Sequence, residues 1–112
     1  MEIKVRNPKD NIAILDVIGE IDIYNSSELK KTVQRSMDNG INHIIFNLEK
    51  VPYIDSSGIG AMIASLTKLR RAKGSMKIFN AFESVKKVFE LTKMTSFFEI
   101  YNSEEEALKN IK

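Results

Sequence analysis

Residues 41–74 read INHIIFNLEK VPYIDSSGIG AMIASLTKLR RAKG. The first eight, Ile41 to Leu48, form an apolar run centred on Ile44-Ile45-Phe46, which reads as a strand buried on both faces. A loop with Pro52 follows. From Ser57 to about Lys73 the period changes to that of a helix: Ile59, Met62, Ile63, Leu66 and Leu69 fall within one face about 120° wide. Gly74 suits the end of that helix. A buried strand, a short loop and an amphipathic helix make half of a parallel crossover, and the sheet that receives it must continue on either side.

The flanking sequence supplies that sheet. Upstream, Ile3 and Val5 alternate with charged residues as on an edge strand, and Asn7-Pro8-Lys9-Asp10-Asn11 is a turn cluster. Ile12 to Ile18 is a β-branched run ended by Gly19, with Glu20-Ile21-Asp22 extending or following it. Asn25 and Glu28 form a capping-box pattern for a helix from Ser26 to Asn39, in which Leu29, Val33 and Met37 recur every four residues. Gly40 fits the left-handed position beyond its end. Downstream, Met76 to Phe79 is a strand, and Asn80 with Glu83 caps a helix carrying Val85, Val88 and Phe89. Phe97 to Ile100 is a short last strand, and Ser103 with Glu106 caps a final helix with Ala107, Leu108 and Ile111. The expected fold is α/β: a mostly parallel sheet with an antiparallel N-terminal edge strand, and helices alternating with strands.

With 112 residues and no interior linker or repeat, residues 1–112 read as a single domain of common size. The composition removes several functions. There is no cysteine, so no thiolate metal site, disulfide or cysteine nucleophile. The single histidine, His43, cannot build a zinc site of the usual kind, and a Ser-His-Asp triad is hard to assemble around it. Neither a metal nor a cofactor is expected. Seventeen Lys and Arg against 15 Asp and Glu leave a net charge of +2, too small a footprint for direct nucleic-acid binding. No apolar run approaches the roughly 18 residues of a membrane span, and the N-terminus lacks a signal-peptide pattern. A soluble cytoplasmic domain is expected.

In open α/β sheets the functional loops leave the carboxyl ends of the strands. Two stand out here: Gly19 to Asn25, containing Asp22 and Tyr24, and Tyr53 to Gly60, containing Asp55-Ser56-Ser57-Gly58-Ile59-Gly60. Asp and Ser before a helix are preferred caps, worth about 1 kcal/mol. A cap does not need Gly58 and Gly60, each of which costs about 1 kcal/mol inside a helix; close approach of another backbone or a bulky group does. Opposite the apolar face lie Ser57, Ala61, Ala64 and Lys68, with Ser65 beside them. Two readings of that strip stand side by side: a docking surface for a protein, or alanines serving as good helix formers.

Enzyme readings find little support. The order Asp-Ser-Ser-Gly-Ile-Gly is not a nucleophile elbow, Gly58-x-Gly60 is followed by Ala61 rather than the Lys-Ser/Thr of a phosphate loop, and His43 starts its strand at the end away from these loops. Asp22 and Asp55 share one end of the sheet but lack an acid-base partner, and read as interface or capping groups. No catalytic residue is assigned.

Over its whole length the chain resembles the anti-sigma factor antagonists, the stand-alone members of the STAS domain family. The resemblance rests on Gly19-Glu20-Ile21-Asp22, on Ile44-Ile45-Phe46-Asn47-Leu48, and above all on Tyr53 to Gly60. It implies phosphorylation at Ser56, with Ser57 as alternative acceptor or kinase-orienting hydroxyl. It implies an unphosphorylated form that captures an anti-sigma factor acting as a serine kinase, frees a sigma factor for transcription, and is restored by a serine phosphatase. Asp22, Tyr24 and Asn25 correspond to a loop sharing the partner surface with Asp55, Ser57, Gly58, Ile59, Gly60, Ala61 and Ala64. The alternatives are a constitutive STAS scaffold or regulatory subunit whose partner is not a kinase, and a nucleotide-binding protein using the Ser56 to Gly60 helix start.

Overall fold

The alternation of β-branched runs and helical periods becomes, in a computed structural model describing residues 1–91, 93 and 98–111, the order β1 (Glu2–Lys9), β2 (Ile12–Ile18), α1 (Ser26–Asp38), β3 (His43–Lys50), α2 (Ser56–Arg71), β4 (Ser75–Phe79), α3 (Glu83–Leu91), β5 (Glu99–Tyr101) and α4 (Glu104–Lys109). The strands lie side by side in chain order, β1-β2-β3-β4-β5. β1 pairs antiparallel with β2, and every later pairing is parallel. The expected α/β fold with an antiparallel edge is borne out. Strands added in one direction through right-handed crossovers must place their connecting helices on one face. Accordingly α1, α2 and α3 share a core with Leu15, Val17, Ile44, Phe46, Leu48 and Ile78. The opposite face is covered by α4, over Ile12, Ile14, Ile45 and Phe79.

Several local expectations are corrected. Glu20-Ile21-Asp22 does not form a further strand; Ile21 makes one isolated parallel bridge to Ile54. β1 runs through Asn7-Pro8 to Lys9 with an irregularity after Arg6, so the turn shortens to Asp10-Asn11. Asn25 makes no capping bond to α1, because its side chain is spent within the preceding loop. Asn80 does not cap α3: its backbone is left-handed (φ 57°), and the carbonyl of Phe82 accepts from the amides of Val85 and Lys86. Ser103 does cap α4, accepting from the Glu106 amide at 3.1 Å. At the end of α2 the left-handed residue is Lys73 (φ 61°), while Gly74 is required for a different reason: a β-carbon there would run into the backbone carbonyl of Asn42. Phe98 is buried, its ring centroid 5.2 Å from that of Phe89. Phe97, the expected start of the last strand, lies outside the described residues.

Candidate functional site

The carboxyl ends of β2, β3 and β4 and the loops leaving them form one pole of the molecule. The β2–α1 and β3–α2 loops are stitched together residue by residue. Gly19 N–H donates to Lys50 O at 2.9 Å, Ile21 N–H to Tyr53 O at 3.1 Å, and Asp55 N–H to Ile21 O at 3.1 Å. Gly58 is what allows this closeness. A β-carbon at Gly58 would sit 2.7 Å from Ile54 Cγ1, 2.8 Å from Ile21 Cγ2 and 2.9 Å from Ile21 O. The glycine expected to mark a close approach therefore receives a loop of its own chain. Gly60 is exposed and has open space around it.

Asp55 is the N-cap of α2, which begins at Ser56, one residue earlier than the sequence suggested. Its carboxylate is shared. Oδ1 accepts from the Gly58 amide at 2.9 Å, and Oδ2 accepts from the Ile23 amide of the other loop at 3.2 Å. Ser56 follows as the first helical residue and is exposed; Ser57 is half-buried. In the neighbouring loop, Asp22 Oδ1 accepts from the Tyr24 amide at 2.9 Å. Asn25 Oδ1 accepts from the Asp22 amide at 2.8 Å while its Nδ2 donates to Glu20 O at 2.8 Å. The backbone of this loop is held from both sides, and it presents Tyr24 with 92% of its surface exposed.

The structure thus brings Asp22, Tyr24, Asn25, Asp55, Ser56, Ser57 and Gly60 to one pole. It separates Gly58, Ile59 and Ala61 from the surface by burial and leaves Ala64 half-buried. The strip expected along Ser57, Ala61, Ala64, Lys68 and Ser65 is accordingly rotated. Ala61 and Ser65 keep only 4% and 2% exposure, and Lys68 Nζ donates to Gln34 Oε1 on α1 at 3.0 Å. The small side chains of this flank let α1 pack beside α2. The stripe that reaches solvent runs through Ser56, Gly60 and Thr67, with Ile63 and Ala64 at its margins, and ends at the exposed Arg71.

Three apolar side chains were not among the expected partner-surface residues: Ile23 and Tyr53, in the two loops singled out, and Phe82, all exposed on the loops of the same pole. The signal was present, since each is an apolar residue in a loop after a strand rather than within a periodic run. The start of α3 is tied to the β3–α2 loop by Ser84 Oγ donating to Pro52 O at 3.3 Å. Large apolar groups grouped at loop ends mark surfaces that bind other proteins.

His43 lies at the start of β3, so roughly 23 Å of strand separates it from the loop that carries Ser56. Its Nδ1 is 2.8 Å from Ser75 Oγ, and burial together with nearby Lys77 pushes its pKa down. Among the described residues no cluster of three His, Asp or Glu side chains could hold a metal ion. Among the same residues, no helix is long and apolar enough to cross a membrane. A cleft of about 350 Å³ lies on the opposite face, between β1, β3 and α4. There Arg6, Asp16, Asn47 and Glu104 are hydrogen-bonded to one another.

Comparison with known proteins agrees with this architecture. The STAS domain family model matches residues 4–107. The anti-sigma-B factor antagonist of Listeria monocytogenes is 32% identical over 107 residues, covering 95% of this chain and 91% of that protein. A Thermotoga maritima crystal structure superposes with a TM-score of 0.87 at 27% identity, covering 98% of this chain and 92% of that one. The anti-sigma factor antagonist SpoIIAA shares the fold in its unphosphorylated form (TM-score 0.83, 21% identity, 96% of this chain and 94% of that one). Its phosphorylated form, from Bacillus, does so as well (TM-score 0.76, 20% identity, 99% and 100%). With its sheet order, its Asp55-capped helix and a family match across nearly its whole length, this chain belongs to the STAS domain family.

Proposed function

We propose that the protein is an anti-sigma factor antagonist controlled by phosphorylation at Ser56. Unphosphorylated, it captures an anti-sigma factor that is also a serine kinase and so releases a sigma factor for transcription. Phosphorylation by that partner ends the capture, and a serine phosphatase restores it. The protein is then a cytoplasmic binding module with no catalytic residues, no cofactor and no direct contact with nucleic acid or membrane.

The observation that carries this reading is the placement of Ser56. It is exposed as the first residue of a sixteen-residue helix, in the loop pole that also exposes Ile23, Tyr24, Tyr53 and Phe82. The relatives named as anti-sigma factor antagonists, one of them solved with and without its phosphate, support it. The physics supports it too. A phosphoserine carries about −1.5 to −2 charges at neutral pH, which the N-terminus of a helix accommodates, so the fold is preserved. Its cost falls on the interface, where a desolvated dianion sits beside the Asp55 carboxylate. A loss of about 3 to 4 kcal/mol of binding energy weakens affinity roughly 150- to 900-fold.

The test is mass spectrometry of the protein incubated with ATP and the serine-kinase anti-sigma factors of its own cell, followed by binding measurements on both forms. One phosphate on Ser56, lost in Ser56→Ala, with capture abolished in the phosphorylated form, supports the switch. Capture of a partner that ignores phosphate at Ser56 replaces it with a constitutive scaffold. Phosphate on Ser57 alone moves the acceptor by one residue.

A further inference from the structure

The stitching of the two loops by backbone hydrogen bonds stops at Ile21 and Asp55. Beyond that point the β2–α1 loop turns outward, and Asp55 Oδ2 reaches across to accept the Ile23 amide at 3.2 Å. Capping alone does not use this second oxygen, since the Gly58 amide is satisfied by Oδ1. An asparagine would cap a helix about as well as an aspartate, but it has a single acceptor oxygen, and its amide nitrogen would face the Ile23 N–H donor to donor. The choice of aspartate therefore bears on the neighbouring loop, and the residue after Ile23 is Tyr24, the most exposed large apolar side chain among those described.

We propose that Asp55 is a positioning residue: by holding Ile23 it sets Tyr24 at a fixed place relative to Ser56, so that a partner meets the serine and the tyrosine as one preorganised surface. This inference rests on the proposed capture of an anti-sigma factor, but its structural half is independent of that reading. Asp55 acts through Tyr24 and not through its own contact with the partner. A loop ordered before binding spares the complex the cost of ordering it.

The experiment compares wild type, Asp55→Asn, Tyr24→Ala and the double variant. Amide hydrogen exchange by NMR comes first. In Asp55→Asn the Ile23 amide should exchange about ten- to a hundredfold faster, the scale of losing one hydrogen bond to a charged group, while the Gly58 amide keeps its protection. Unchanged exchange at Ile23, or equal loss at Gly58, overturns the proposal. Affinity for the unphosphorylated-state partner, the kinase anti-sigma factor identified as above, comes second. Asp55→Asn and Tyr24→Ala should each weaken it, and the double variant should be no weaker than Tyr24→Ala alone. Additive losses would mean that Asp55 touches the partner itself and would overturn the coupling. If wild type captures no kinase at all, the functional reading fails by that observation, and the exchange of Ile23 decides the structural half alone.

Discussion

Arg6 grips both carboxylate oxygens of Asp16, Nε to Oδ2 at 2.6 Å and Nη2 to Oδ1 at 2.8 Å, and the same Nη2 reaches Glu104 at 2.7 Å. The first strand, the second strand and the last helix are thus joined through one guanidinium on the sheet face that α4 leaves partly open. The hydrogen bond from Arg6 holds the Asp16 carboxyl below its ordinary value of 3.8, against the opposing effect of burial and with help from Asn47. Because the folded value is the lower one, the unfolded chain binds the extra proton in acid. The pair's stabilisation is complete above the ordinary carboxylate range and is lost as pH falls through the folded value. Arg6 is partly exposed, so solvent limits the contribution to about 1 kcal/mol. Urea titrations of wild type and Arg6→Gln from about pH 7 to 3 should converge in acid; curves that stay parallel to the lowest pH would contradict this.

A second window lies nearer neutrality. Burial, then the charge of Lys77, lowers the pKa of His43 from 6.5. The unfolded chain takes up that proton first, so stability declines as pH drops below 6.5 toward the folded value. His43→Gln should remove this decline while leaving the carboxylate transition below pH 4 in place. The readout is the denaturant midpoint at closely spaced pH values, and a decline of equal size in the variant would assign it to another group.

The two glycines of α2 should respond oppositely to alanine. At Gly58 the new methyl strikes Ile21 O as well as two isoleucine side chains, so Gly58→Ala should cost about 1 to 3 kcal/mol despite its better helix propensity. At Gly60 nothing lies within 4 Å, and Gly60→Ala should stabilise by up to about 1 kcal/mol. Thermal and denaturant unfolding of the two variants measures this directly. Gly60→Ala that gains stability but loses partner capture would give that glycine an interface role.

Lys77 is 3% exposed and pairs with Glu99 at 2.6 Å on the short edge strand β5, with its ammonium 5.8 Å from the Tyr101 ring centroid. Removing the acceptor leaves a buried cation without its counter-charge. Glu99→Ala should therefore cost about 2 to 3 kcal/mol, and Lys77→Met much less, because replacing a buried charge with an apolar side chain of similar size is often neutral. Equal losses in the two variants would show that the pair itself, and not the stranded lysine, sets the cost.

The order of strands and helices was legible because each element carries its own period. Ile44-Ile45-Phe46 and the Ile59 to Leu69 face needed no tertiary information. The cap at Ser103 was legible for the same reason, lying next to the helix it serves. Asn25 and Asn80 misled because their environment is not local: the first is consumed by Glu20 O and the Asp22 amide, and the second sits in a left-handed bend whose amide donates to Tyr101 O. The pole at the strand ends followed from topology, and Asp55 from its place before the helix. What the pattern could not say is which flank of α2 would be covered by α1. Ala61 and Ser65 look alike whether they meet water, a partner or a neighbouring helix, and only the packing of α1 distinguishes these cases.

The chain-order arrangement of the sheet has a consequence for how the molecule comes into being. Every strand docks on the one made just before it, so loop closures stay short and the growing polypeptide gains a pairing edge at each step of synthesis. The contact between Arg6 and Glu104, 98 residues apart in sequence, departs from that order, as does the packing of α4 over Ile12 and Ile14. It can form only when the last helix arrives, which makes it a latch that closes at the end of assembly.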